Sequence, residues 1–80
     1  MNTLLVSLDR VPRGTEAIVR KLQGGSELVH RLAAMGLTEG AALVVLQNSR
    51  RGPLLVNVRD TRIALGRGEA VKILVEPTSA

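Results

Sequence analysis

The sequence predicts a mainly β fold, a small and partly open β-barrel of five to six short strands with one inserted α-helix. Residues 54–59 alternate with period two, which is typical of a strand. Turn residues recur about every ten positions along the chain. One stretch, residues 26–36, instead has helical spacing and ends at a glycine. Barrel closure is favoured over a sandwich in a chain of 80 residues, because closure removes exposed strand edges.

The predicted strands are short aliphatic runs bounded by Gly, Pro, Asn or Asp. They cover residues 3–6, 15–22, 41–47, 54–59, 62–65 and 71–76. Val71, Ile73 and Val75 are expected on one face of the last strand. Turns are expected at residues 11–14, 48–53, 60–61 and 66–69, with a frayed tail at 77–80. Gly14 is expected at positive φ, and Asp60 tolerates the left-handed region better than most residues. We expect a single domain over residues 1–80.

The helix predicted at residues 26–36 organises the rest of the chain. Ser26 is a suitable N-cap, because its hydroxyl can accept from the unpaired amides of the first turn. Gly36 occupies the C′ position that favours a left-handed residue, and Leu37 follows as C″, placed to touch Leu32. The apolar face is formed by Leu28, Leu32 and Met35. A helix this short is marginal alone, so we expect it to pack against the barrel.

Composition excludes several classes of function. The chain has no cysteine, which removes disulfides, zinc fingers, iron–sulfur ligation and thiol catalysis. It has no aromatic residue, so base stacking and aromatic-lined peptide grooves are not available. The formal net charge of +4 allows weak attraction to nucleic acid, to anionic lipid or to an acidic protein. The N-terminal residues lack the features of a signal peptide, and no apolar run approaches a membrane span, so we expect a cytoplasmic protein.

Several short motifs, in this order and spacing, resemble the FeoA family of bacterial ferrous iron transport. The central motif is Arg31-Leu32, then Met35-Gly36-Leu37, then Gly40 before an apolar strand. The remaining landmarks are Gly14, Ala17, Ile18, Gly52-Pro53, Val56, Ile63-Ala64-Leu65, Ala70 and Ile73. One departure is Asp60, at a hairpin position where the family often has glycine.

The resemblance implies an SH3-like barrel with the helix inserted between early strands. It also implies a non-enzymatic accessory role beside the large membrane permease FeoB, whose cytoplasmic part is a GTP-binding domain. On this basis we expect docking on that domain and modulation of the permease. We expect no cofactor, no small-molecule substrate, no specific nucleic acid and only indirect contact with the membrane.

A few side chains are candidates for chemistry. His30, the single histidine, has Glu27 at i−3, but a transition-metal site usually collects more ligands, so the pair is only a weak metal candidate. Arg31 is expected to pair with Glu27 at i+4 spacing or to contact a partner. Arg50 and Arg51, on a hairpin tip, are expected either to be solvated or to contact the permease domain or anionic lipid. No Ser–His–Asp arrangement or acid–base pair suggests an enzyme.

The strands at residues 41–46 and 54–58 hold more aliphatic side chains than a small barrel interior needs. Leu37 and Leu55 are therefore expected either on an exposed patch beside the helix or covered by it. The predicted partner-binding residues are Arg31, Met35, Gly36, Leu37, Gly40, Arg50 and Arg51. Two alternatives remain open: a basic barrel that binds nucleic acid through backbone charge, and a metal-responsive regulatory module.

Overall fold

The computed structural model describes residues 4–78, which form six strands, two helices and one 3₁₀ turn. In chain order these are β1 (Val6–Ser7), the 3₁₀ turn (Leu8–Arg10), β2 (Glu16–Leu22), α1 (Ser26–Ala34), β3 (Ala42–Asn48), β4 (Leu54–Val58), β5 (Thr61–Leu65), α2 (Arg67–Ala70) and β6 (Ile73–Pro77). The first strand, predicted at residues 3–6, begins at Val6 instead, and Thr3 lies outside the described residues. Within residues 4–78, neither helix is long and apolar enough to cross a bilayer.

All six strands belong to one antiparallel sheet in the order β1-β6-β2-β3-β4-β5. β1 and β5 lie at the two ends of this order and are not neighbours in the sheet. The barrel is therefore partly open, as predicted. Register shifts between Val19 and Lys21 and between Val45 and Gln47 interrupt the ladders of β2 and β3. Such bulges bend a strand and increase its twist, which lets a single sheet curve around its own interior.

That interior is one aliphatic cluster to which β2, β3, β4, β5, β6 and both helices contribute. The alternation predicted for β4 is observed, because Leu54, Val56 and Val58 are buried while Leu55 and Asn57 are half-buried. No polar or charged residue among residues 4–78 is buried. Since one cluster collects the inward side chains of successive strands, the sheet must wrap around it.

The C-terminal end of α1 has the predicted geometry. Gly36 has φ +94°, and its N–H donates to Ala33 O at 2.9 Å. The N–H of Leu37 donates back to Leu32 O at 2.9 Å, and both leucine side chains are fully buried. This pair of hydrogen bonds is a Schellman motif, which satisfies carbonyls that the helix end would otherwise leave unpaired.

The N-terminal end of α1 differs from the prediction. Gly25, not Ser26, is the N-cap, no side chain caps the helix, and Ser26 is its first helical residue. A Cβ added at Gly24 would meet the Cδ2 of Leu28 at 2.2 Å, so the Leu28 side chain lies directly on the Gly24 backbone. We attribute the cap position to this close packing, which only glycine permits at residue 24.

Three further predictions were wrong between residues 59 and 71. The hairpin between β4 and β5 turns at Arg59 and Asp60, not at residues 60–61, and both residues have positive φ, 51° and 63°. The stretch at residues 66–69 is not an irregular turn, because Arg67–Ala70 forms one α-helical turn. Val71 caps this turn and is 47% exposed, so it does not share the face of Ile73 and Val75.

Candidate functional site

The outer face of the sheet contains a groove of about 430 Å³ across β2, β3 and the end of β4. Its apolar floor includes Ile18, Ala42 and Val44, which share the outward side of their strands. Its polar rim is formed by Glu16, Asn57, Arg59, Asp60 and Thr78. An apolar floor with a few polar groups around it is typical of a protein-binding depression.

Strand register assembles this floor. Ile18 pairs with Ala42 across β2 and β3, while Val44 pairs with Glu16 on one side and Asn57 on the other. Because side chains alternate along a strand, burying Leu43 and Val45 in the core places Ala42 and Val44 outside. Ala42 is exposed and contributes only a methyl group to the groove floor.

The predicted surplus of aliphatic side chains is observed, but at a different place. Leu37 is fully buried in the core, so of the two alternatives the exposed patch is excluded for this residue and the covered position is observed. The Schellman motif explains this, because it turns C″ back towards Leu32. Leu55 is half-buried on the outside of β4, and Val44 is half-buried on the outside of β3. The surplus therefore lies on the outer sheet face and not beside the helix end.

The other residues predicted around α1 have mainly structural contacts. Met35 is half-buried against the core, and a Cβ added at Gly36 would lie 3.4 Å from Val58 Cγ1. Gly40, with φ +93°, donates its N–H to Val19 O at 2.7 Å. Arg31 remains exposed.

The predicted Arg31–Glu27 pair is replaced by a long-range one. Arg31 Nη2 lies 2.5 Å from Glu69 Oε2 of α2. Glu69 also accepts from the Gly66 N–H at 3.0 Å. Because 61% of the Arg31 side chain is exposed, we assign this ion pair little stabilising energy.

Arg67 was not identified as a site residue from the sequence, yet its guanidinium makes four hydrogen bonds. Nη1 donates to Ser49 O at 2.5 Å and to Gly52 O at 3.2 Å. Nη2 donates to Asp9 O at 3.1 Å and to Asn48 Oδ1 at 2.8 Å. These bonds tie the loop bearing Arg50 and Arg51 to α2 and the 3₁₀ turn. A lone arginine between glycines gives no sequence pattern that would reveal such contacts.

The weak metal candidates are not supported by a ligand cluster. His30 and Glu27 are both exposed on α1. Within residues 4–78, no group of three or more His, Asp or Glu side chains is placed to hold a metal ion.

Comparison with known proteins gives the family. The family model described as FeoA domain matches residues 6–77 of this chain. The chain belongs to the FeoA family. It is therefore an iron transport accessory protein by family. A predicted Fe(2+) transport protein A of Methanocaldococcus jannaschii is 41% identical over 63 residues, which is 79% of this chain and 76% of that protein.

Solved structures of the family share the fold. An iron uptake regulatory protein, FeoA, superposes with a TM-score of 0.86 at 33% identity, covering 94% of this chain and 99% of the other. Stenotrophomonas maltophilia FeoA, crystallised with zinc and described as a prokaryotic SH3 domain protein, superposes with a TM-score of 0.75 at 30% identity. That match covers 86% of this chain and 87% of the other. The predicted SH3-like barrel is confirmed.

Proposed function

We propose that this FeoA-family chain is a non-enzymatic accessory protein that docks on the cytoplasmic, GTP-binding part of a ferrous iron permease of the FeoB type and modulates transport. Family membership supports a role in ferrous iron transport. The groove supports docking, since a preformed apolar depression on a rigid sheet costs little conformational entropy on binding. On this proposal the protein acts in the cytoplasm as one domain.

The groove, and not the end of α1, is the proposed contact surface. Ala42 is exposed at its floor, and Val44 and Ile18 flank it as half-buried aliphatic side chains. Arg59 and Asp60 stand at the rim with opposite charges, which suits a polar ring around an apolar centre. Leu37 has no place in this contact because the fold buries it completely.

The arginine loop has a longer-range role in docking. Arg50 and Arg51 precede β4, whereas Arg59 follows it, so the loop and the groove rim lie at opposite ends of that strand. The proposed contact at the groove therefore does not include Arg50 and Arg51. The net charge of +4 attracts an acidic partner from a distance and raises the rate of association.

The groove residues also support a binding role over a catalytic one. Its polar members are Glu16, Asn57, Arg59, Asp60 and Thr78, and no Ser–His–Asp or Cys–His arrangement occurs among these five residues. Asp60 and Arg59 lie on a tight hairpin whose conformation is fixed by strand pairing.

The proposal is tested by titrating the purified cytoplasmic domain of the permease with this chain and with two variants in which an alanine is replaced by glutamate. Ala42→Glu places a charged side chain on the groove floor, while Ala64→Glu introduces the same charge at an exposed alanine of β5 that does not line the groove. We expect Ala42→Glu to weaken binding by about tenfold or more, as at a buried interface centre. Ala64→Glu should bind like the parent chain. Equal affinities of all three proteins would remove the groove as the contact surface.

A further inference from the structure

The end of the barrel around Arg67 gathers exposed arginines that are far apart in the sequence. The carbonyl of Asp9, which precedes Arg10, and the carbonyl of Ser49, which precedes Arg50, both accept from the one Arg67 guanidinium. Asn48 reinforces the junction, because its Nδ2 donates to Asp9 O at 3.0 Å and to Val11 O at 2.7 Å. The backbones that carry Arg10, Arg50 and Arg51 are thus held side by side.

The charge of this arginine cluster, Arg10, Arg50, Arg51 and Arg67, is largely uncompensated. Among residues 4–78, no carboxylate forms an ion pair with any of the four. Every hydrogen bond of Arg67 goes to a neutral oxygen. Asp9 lies in the same segment and offsets one positive charge, with its Oδ1 turned into the protein. Arg10, Arg50 and Arg51 are exposed. The planar donors of their guanidinium groups suit the oxygens of phosphate groups.

An exposed apolar side chain stands beside the cluster. The N–H of Val71 donates to Arg67 O at 3.1 Å, so Val71 follows Arg67 by one helical turn and lies on the same side of α2. It is 47% exposed, which makes it one of three large apolar side chains exposed within residues 4–78. Basic residues around an aliphatic side chain are suited to a membrane surface, where cations meet headgroups and the apolar group enters the boundary layer.

We propose that the arginine cluster rests on the anionic phospholipid headgroups of a membrane, with Val71 at the lipid boundary. This contact is separate from the groove and goes beyond docking on a protein partner. From the sequence we expected indirect membrane contact, with anionic lipid as one alternative for Arg50 and Arg51, but the sequence does not show that Arg10 and Arg50 are neighbours. Val71 favours lipid over nucleic acid, because an aliphatic side chain gains from the bilayer boundary and not from a phosphate backbone.

The proposal is tested by co-sedimenting the chain with vesicles of phosphatidylcholine alone and of phosphatidylcholine mixed with phosphatidylglycerol, in low salt. The parent chain should bind only the anionic vesicles, and high salt should release it. Each arginine near such a surface contributes about fivefold in affinity, so Arg50→Gln/Arg51→Gln should bind roughly 25-fold more weakly. Arg59→Gln/Arg62→Gln is the matched control, because it removes the same charge at the opposite end of β4 and should bind nearly as the parent does.

Two further arms separate lipid from other anions. Val71→Ser should weaken vesicle binding although it changes no charge, whereas a purely electrostatic contact would not respond. Duplex DNA at the same salt should compete poorly with the vesicles. Equal losses in the two double-arginine variants, an unchanged Val71→Ser variant, or preferential binding to DNA would each overturn the proposal. No permease component is present in this assay, so its failure leaves the groove proposal standing.

Discussion

The glycine at the end of α1 allows a stability prediction with internal controls. Gly36 has φ +94°, a conformation that costs an L-residue with a Cβ about 1–2 kcal/mol. An added Cβ would lie 3.4 Å from Val58 Cγ1, which is ordinary van der Waals contact and adds little. We therefore expect Gly36→Ala to lower the free energy of unfolding by about 1–2 kcal/mol, nearly all of it backbone strain.

Two other glycines separate strain from contact. Gly40 has φ +93° with nothing within 4 Å of an added Cβ, so Gly40→Ala should cost about the same 1–2 kcal/mol. Gly68 lies inside α2 in open space, so Gly68→Ala should instead raise stability by about 0.5–1 kcal/mol. Urea unfolding followed by circular dichroism measures all three variants. A Gly36→Ala protein as stable as the parent would refute the left-handed helix end.

Three further predictions concern side chains. Leu37→Ala should lower the free energy of unfolding by about 2–5 kcal/mol in urea melts, because Leu37 is fully buried; a loss below 1 kcal/mol would place it at the surface. Arg67→Lys should speed amide hydrogen exchange in residues 49–52, since an ammonium group cannot hold all four acceptors, and unchanged exchange would show that the loop is anchored otherwise. Arg31→Ala should change stability by less than about 1 kcal/mol, because its ion pair is exposed; a larger loss in thermal melts would contradict this.

The sequence predicts the helix end and the strand faces because local chemistry determines them. A glycine followed by a leucine, as at Gly36 and Leu37, is sufficient to predict a Schellman motif. Burial of alternate residues follows from the two-residue period of a strand. The N-cap was missed because of a close contact that residue preferences do not reveal, namely the packing of Leu28 on Gly24, four positions earlier. A capping serine one residue later fits the sequence equally well.

The hairpin between β4 and β5 shows the limit of pattern reasoning. Turning at residues 59–60 pairs Val56 with Ile63, whereas turning at 60–61 would pair Val58 with Ile63. Both registers join inward residues to inward residues, so alternation does not distinguish them. The observed turn requires positive φ at Arg59, which residue preferences disfavour.

The candidate site is predictable only in part. The excess of aliphatic residues in β3 and β4 indicates an apolar outer surface, but the sequence does not show that the Schellman motif removes Leu37 from it. The contacts of Arg67 join segments up to 58 positions apart, which no local pattern encodes. Surfaces assembled by tertiary packing are therefore the part of the molecule that sequence patterns do not predict.

The groove as a docking surface is tested most directly by nuclear magnetic resonance. Isotope-labelled protein would be titrated with the unlabelled cytoplasmic domain of the permease, and amide shifts followed residue by residue. We predict the largest shifts at Ile18, Ala42, Val44 and Asn57, which line the groove. Shifts confined to α1 and the loop at residues 49–53, with the groove amides unmoved, would contradict the proposal.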